Sequence, residues 1–423
     1  LPIFASGQSL NPGIASGYIF YSSDQSQNPN KHQLIYFKDF DPSLTSLASS
    51  GSGVIVDASC NNLHELTLLC QELGLPAISL NRPLNKVSNH QILTINGATG
   101  QLLTGKPDLS SQDLFFARPQ ISIENTDNKK AKTATKLFLN LPFAKFRSNY
   151  QSLDFDGIAG IRGEFLISQL GLHPKKIINN GKGEQITETI ESNLTKILKN
   201  SHDKDVYYHL SDFNSQLLRK LSFGKDHESK ETNPLLGLRG CWRILHQIPL
   251  FQTELAAIKN ILNQNHHLNL VLPFCRSGFE LGKILEILAN NNLFPHSQLN
   301  IHLNLVTPAN LIALPQFVNF KLDGFVIDFD ELLAHSLGID PSNPEVSDLL
   351  NHQDSSVLWL IKHALAHTQN QNLPIIINSQ GLSRYPQLVK DLVASGTTGL
   401  SVAPQDLNHT RQLVYKFENQ LIS

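Results

Sequence analysis

Arg162, Arg239 and Arg276, together with the run Asp328, Asp330 and Glu331, are the residues best suited to chemistry in this sequence. Arg162 follows the apolar run GIAGI, Arg276 follows VLPFC, and Arg239 lies in the Pro/Gly-rich stretch NPLLGLRG ahead of a helical pattern. The acidic run comes directly after FVI, while His209, Val306 and Asn378 stand at or just beyond the ends of VYYHL, NIHLNL and PIII. Guanidiniums present paired donors that match carboxylate and phosphate oxygens, and carboxylates supply the oxygen ligands that magnesium requires. The set suits a small anion held beside a divalent cation. The plainer alternative is that Asp330 caps a helix while Arg162 and Arg239 make structural ion pairs, and both readings stay open at this level.

Residues so far apart in the chain need a frame that gathers them. After residue 130 the runs KLFLNL, GIAGI, VYYHL, LNLVLPF, NIHLNL, GFVI, PIII and GLSV recur, with segments between them such as FQTELAAIKNILNQN and SRYPQLVKDLVAS. These intervening segments space apolar residues three and four apart, as amphipathic helices do. Buried strands alternating with helices predict an α/β chain whose residues 131–423 form a (β/α)8 TIM-type barrel, with a doubly wound sheet as the alternative. In such a barrel the C-terminal strand ends form the open rim, and the residues named above fall there.

Ahead of the barrel, residues 17–105 alternate short strand-like runs (GYIFY, QLIYF, GVIVD, PAISL, QILTI) with a helical stretch over 62–73, closing on a hairpin-like NGATGQLLTG. The pattern predicts a small β/α domain over 1–108, and the polar, aperiodic stretch 109–130 predicts a linker. A chain of 423 residues accommodates two domains. Its longest apolar runs fall far short of the ~20 residues of a membrane span. The net charge of −2, with lysines and arginines scattered, gives no basic field for nucleic acid. Cys60, Cys70, Cys241 and Cys275 show neither CxxC nor zinc spacing, which predicts reduced, buried thiols. With no charged and apolar leader at the N-terminus, a cytoplasmic location is expected. The sequence has no methionine and opens at Leu1, so a start further upstream is also expected.

NPGIASGYIF, ELGLPAISL, DGIAGIRGEFL, GLHP, HLSDF, NPLLGLRG, LPFCRS, TPAN, DGFVIDFDEL and INSQG follow one another in an order that resembles the phosphoenolpyruvate synthase and pyruvate phosphate dikinase family. The resemblance runs over nearly the whole chain. It implies a swivelling phosphohistidine domain followed by a barrel that binds phosphoenolpyruvate, the second and third parts of a machine whose first part binds ATP. No GxxxxGK[ST] phosphate loop occurs, and no nucleotide site is expected ahead of residue 10.

The same resemblance places the family's phosphorylated histidine at Glu65, with His64 one residue earlier. A carboxylate cannot replace an imidazole nitrogen that attacks phosphorus and then leaves. His64 is the candidate substitute, turned by about 100° on a helix. Asn62 and Glu65 also fit a helix N-cap with glutamate at its third position. Arg162 and Arg239 match arginines that hold phosphoenolpyruvate, and His209 stands where the family has a third. Val306 replaces a metal-binding glutamate, whereas Asp330 and Glu331 match an asparagine and a metal-binding aspartate. Pro341 replaces an arginine, and Asn378 replaces the cysteine that protonates the enolate. The resemblance therefore implies a degenerate member: no catalytic residue is assigned, no cofactor is expected, and magnesium would be needed only if activity remained. Expected partners are a second copy joined through the barrel and a small anion such as phosphate or phosphoenolpyruvate.

Overall fold

Runs of leucine, isoleucine and valine buried on both faces become most strands of two closed sheets in this computed structural model, and the chain divides into units Leu1–Lys129 and Lys130–Ser423. The structure describes residues 1–423 except 24–28, 31, 41, 58, 61–62, 85–86, 88–90, 108–130, 344, 380 and 423. The predicted linker falls wholly outside the described residues, as does the proposed cap Asn62.

The first unit contains β1 (Ile3–Asn11), β2 (Ile14–Tyr21), β3 (Gln33–Phe37), β4 (Gly53–Asp57), β5 (Ala77–Leu80), β6 (Leu93–Asn96) and β7 (Gln101–Thr104). They close in the order β1-β5-β4-β3-β2-β6-β7. Strands β2 to β5 run parallel, and β6 and β7 form the expected antiparallel hairpin. The helix Leu63–Leu73 joins β4 to β5 and buries Leu66, Leu69 and Cys70. Asn11 ties down its end, with Nδ2 donating to the carbonyls of Cys70 and Leu75 at 3.2 and 2.8 Å. Strand β1 was not expected from the sequence: most of it is exposed, so it lacks the apolar run that marks the others.

The second unit contains β8 (Lys136–Asn140), β9 (Gly157–Arg162), β10 (Asp205–His209), β11 (Leu268–Leu272), β12 (Leu299–Leu305), β13 (Gly324–Asp328), β14 (Ile375–Asn378) and β15 (Gly399–Val402). All eight pair in parallel and close on themselves, which makes it a (β/α)8 barrel and sets the doubly wound alternative aside. Ser277 and Thr307 cap the helices that follow β11 and β12, their hydroxyls accepting from backbone N–H groups in the first turn. Phe138, Ala159, Tyr207, Val271, Val326 and Ile376 form an apolar belt across the barrel interior. Side chains alternate along a strand, so Asn140, His209, Asp328 and Asn378, each two residues beyond a belt residue, face inward one layer nearer the mouth. No helix among the described residues is long and apolar enough to cross a membrane.

Candidate functional site at the barrel mouth

A bulge puts Arg162 into the mouth. Pairing between β9 and β10 shifts register so that Ile158 faces Val206 but Ile161 faces Tyr208, and the extra residue lets Ala159 and Arg162 share the inward side. Gly160 makes the bulge, with φ +76° and no room for a side chain: a Cβ there would lie 2.1 Å from Asn140 Oδ1. Arg162 then sits level with His209. Its guanidinium makes a short charge-assisted contact with the Asp328 carboxylate, and Nη1 lies 3.8 Å from Glu164 Oε1.

Arg239 immediately precedes the helix Gly240–His246, as its loop composition predicts. It grips Asp212 as a fork, Nε to Oδ1 at 3.1 Å and Nη2 to Oδ2 at 2.6 Å, and Nη2 also donates to Glu331 Oε1 at 2.9 Å. The backbone N–H of Gly240 adds a third bond to Asp212, at 2.8 Å. Arg276 spends its donors on the carbonyls of Gly237 and Arg239, and both guanidiniums lie over the Phe274 ring at 4.4 and 4.7 Å. The expected cations are therefore gathered at one rim, each already bonded to the protein.

Burial and charge set the titration of the carboxyls around them. Burial works against ionising Glu331, but the Arg239 and Arg162 charges outweigh it and hold the group at about 2. Glu164 lies deeper, and burial raises it to about 7 despite Arg162. Burial likewise pushes Asp328 up, against the pull of Arg162. His209 is 2% exposed, and neither ring nitrogen has a partner among the described residues. Burial and then the Arg162 charge drive it well below the ordinary histidine value, so it is a neutral imidazole and not a third cation.

The remaining expected positions are apolar or already satisfied. Val306 is fully buried, and its carbonyl meets His335 Nδ1 at 2.8 Å. Asn378 is 2% exposed, and its Oδ1 accepts from Asn140 Nδ2 at 2.7 Å. Pro341 is exposed. The helix Phe329–Leu337 is capped by Asp328, correcting the expectation that Asp330 would do so: Asp328 ends the strand, whereas Asp330 already lies in the first helical turn. Asp330 instead accepts from Ser379 Oγ at 3.1 Å. In the first unit, His64 is exposed and Glu65 half-buried, both in the opening turn of Leu63–Leu73.

Magnesium asks for a near-octahedral shell of oxygens. Here Glu331 Oε1 is committed to Arg239, Asp330 is bonded to Ser379, and Val306 brings no donor. Glu331 Oε2 is buried without a partner, but it belongs to a carboxylate already neutralised. This donor set does not fit a magnesium site, and no cluster of three metal-ligating side chains occurs among the described residues.

Asp212, Glu164 and Asp328 are the participants that sequence reasoning missed as partners. Asn304 and Ser401 were missed too: each is at most 2% exposed and leaves a side-chain oxygen unpartnered. Asp212 and Glu164 lie just past strand ends and carry no apolar-pattern signal, whereas Asn304 and Ser401 could be found only from the alternation along their own strands.

Residues 119–419 match the family described as PEP-utilising enzyme, PEP-binding domain. The chain is 26% identical to the phosphoenolpyruvate synthase of Aeropyrum pernix over 435 residues, covering 99% of this chain and 53% of that protein. It is 27% identical over 440 residues to a probable phosphoenolpyruvate synthase of Staphylothermus marinus, covering 99% and 52%. The Helicobacter pylori phosphoenolpyruvate synthase is 25% identical over 454 residues, at 99% and 54%. The chain thus spans about half the length of the curated relatives it matches. With that match over most of its length and the parallel eight-stranded barrel beneath it, the chain belongs to the PEP-utilising enzyme, PEP-binding domain family.

Proposed function

We propose that this chain is a catalytically degenerate relative of phosphoenolpyruvate synthase, a structural or regulatory protein in which any residual anion binding at the barrel mouth is weak. One observation carries the reading: the two arginines that should grip substrate are already bound to Asp212, Glu331 and Asp328. To reach a phosphate or carboxylate, each would have to leave a buried carboxylate unpaired, at a cost of several kcal/mol. The neutral His209, the apolar Val306 and the amide of Asn378 point the same way, because they leave charge neutralisation, metal binding and proton donation without an agent.

The test is calorimetry of the full chain with phosphoenolpyruvate, pyruvate and sulfate, with and without magnesium, alongside a phosphoryl-exchange assay. No heat and no exchange are expected. Turnover that Arg239→Lys abolishes, a change that keeps the charge and removes the fork, would overturn the proposal.

Within this reading the first unit is the counterpart of a swivelling domain and the protein acts in the cytoplasm as a homo-oligomer. Leu236 and Phe279 are 63% and 65% exposed and line a groove of about 560 Å³ with Trp242 and Arg276, a surface that supports association through the barrel. Phe279→Glu is expected to lower the mass seen by light scattering, and a monomeric parent protein would remove this part.

A second reading, an active phosphotransferase with an ATP-binding part supplied in trans, is favoured by the exposure of His64 in the first turn of its helix, where backbone N–H groups attract phosphate. Acid-labile phosphate on His64 after incubation with phosphoenolpyruvate supports that reading, and its absence counts against it.

A further inference from the structure

The outer wall of the barrel carries a pair of histidines that the mouth does not use. The helix Ser355–Gln369 lies between β13 and β14 in the chain, and it turns Leu360, Ile361, Ala364 and Leu365 into the core. Asp354 caps its start, the side chain accepting from the Ser356 N–H at 2.9 Å. A packed inner face and a capped first turn make this helix a fixed frame, so side chains on its outer face keep their spacing.

That outer face holds Trp359, His363 and His367, each four residues after the last, which sets them one above another. Trp359 is 60% exposed, His363 is exposed and His367 is half-buried. The Trp359 and His363 rings stack with centroids 5.4 Å apart and planes 10° apart. The His363 and His367 rings follow at 6.3 Å and 27°. Neither histidine makes a hydrogen bond or ion pair among the described residues, so their ring nitrogens are committed to nothing in the fold.

Two imidazoles four residues apart on one helix face can ligate a single metal ion. Metal–nitrogen bonds of about 2.0–2.1 Å at roughly tetrahedral angles bring the donor nitrogens to about 3.4 Å and the ring centres to about 5 Å. The rings here stand roughly 1 Å wider than that, a gap that a small side-chain rotation closes on an accessible surface. The stacked indole already restricts the His363 ring, which lowers the ordering cost of ligation.

The rest of the helix decides which ion. It carries no aspartate or glutamate, so it offers no carboxylate to an oxygen-seeking ion such as magnesium or calcium. Its one lysine, Lys362, is drawn to the flank, with Nζ 3.7 Å from Asp391. Paired imidazoles suit the late first-row ions, with copper(II) held more tightly than nickel or zinc.

We infer that His363 and His367 form a two-ligand surface site for a late first-row transition-metal ion, copper(II) most tightly, with water completing the shell. The site stands on the outside of the barrel and does not depend on the reading of the mouth as degenerate.

The test is pulsed electron paramagnetic resonance of the full chain titrated with copper(II)–iminodiacetate, a chelate that leaves two adjacent positions open, with tryptophan emission followed in parallel. The bound ion is expected to show two coordinated imidazoles and to quench Trp359. His363→Ala and His367→Ala are each expected to lose the two-imidazole signature and weaken the midpoint at least about tenfold. Trp359→Phe should keep the signature and lose the quenching. The chain has 17 histidines, so His266→Ala serves as the control and should leave the midpoint unchanged. A single coordinated imidazole in the parent protein, or an unchanged midpoint in either alanine variant at the pair, would overturn the assignment. Alanine is the best helix former, so both variants retain the helix, which circular dichroism verifies.

Discussion

The two ends of the barrel are built on the same eight strands, yet the guanidiniums of the mouth are paired while neutral ring nitrogens at both ends, on His209 and on His302, have no partner among the described residues. At the mouth, Arg162 and Arg239 are matched by carboxylates of the chain itself, and Arg276 by backbone carbonyls. At the far end, across the belt of Phe138, Tyr207 and Ile376, a neutral nitrogen is held in place and left without a partner. A charge already paired in a buried place can be offered to a ligand only by breaking that pair. The arginines of the mouth are thus held by carboxylates and carbonyls of the chain itself.

The largest effect should come from unlocking the mouth. Arg239→Ala strands the buried Asp212 and leaves the partly buried Glu331 unpaired, and is expected to cost about 3–5 kcal/mol in urea denaturation. A change within experimental error would show that these carboxylates do not depend on the arginine, and the contrast between paired guanidiniums and unpartnered rings would fail.

The next concerns pH. Burial holds Glu164 at about 7, above its ordinary 4.5. A raised acid stabilises the fold fully below the unfolded value, and that contribution disappears as pH climbs through about 7. Glu164→Gln should therefore flatten the stability profile between pH 4.5 and 7, removing on the order of 3 kcal/mol of slope. A profile superimposable on that of the parent would contradict the burial of this carboxyl.

A smaller effect sharpens the comparison from the other side. Asp328→Asn removes the charge facing Arg162, and affinity for sulfate or phosphoenolpyruvate, read from thermal shifts, should rise about tenfold, or about 1.4 kcal/mol. Unchanged affinity would mean that Asp328 is not what occupies Arg162. The smallest expectation is no effect at all. Asn378→Cys places a thiol at the strand end, and on the proposed reading phosphoryl exchange should stay at background; measurable exchange would show that a missing acid was the whole deficit.

Much of the barrel was legible because each strand is a short apolar run between amphipathic helices, and burial on both faces writes itself into composition. Strand β1 was not legible, since a largely exposed strand leaves no apolar signature. Arg162 and Arg239 stood out through their neighbours in sequence, but their partners did not. Asp212 lies 27 residues from Arg239, and Asp328 lies 166 from Arg162, so only closure of the barrel brings them together. Choosing between Asp328 and Asp330 as the helix cap needed the strand's last residue to within two positions, finer than apolar pattern resolves. His302 was invisible for a related reason: in NIHLNL every residue from Ile301 onward is buried, and nothing in the run tells which face turns inward.

The most direct test of the central claim is phosphorus NMR of the full chain incubated with phosphoenolpyruvate and magnesium. If the mouth is closed by its own charges, the phosphoenolpyruvate signal keeps its intensity and no phosphorus–nitrogen resonance appears on the protein. Loss of that signal together with a new phosphohistidine resonance, both abolished by Arg239→Lys, would contradict the account.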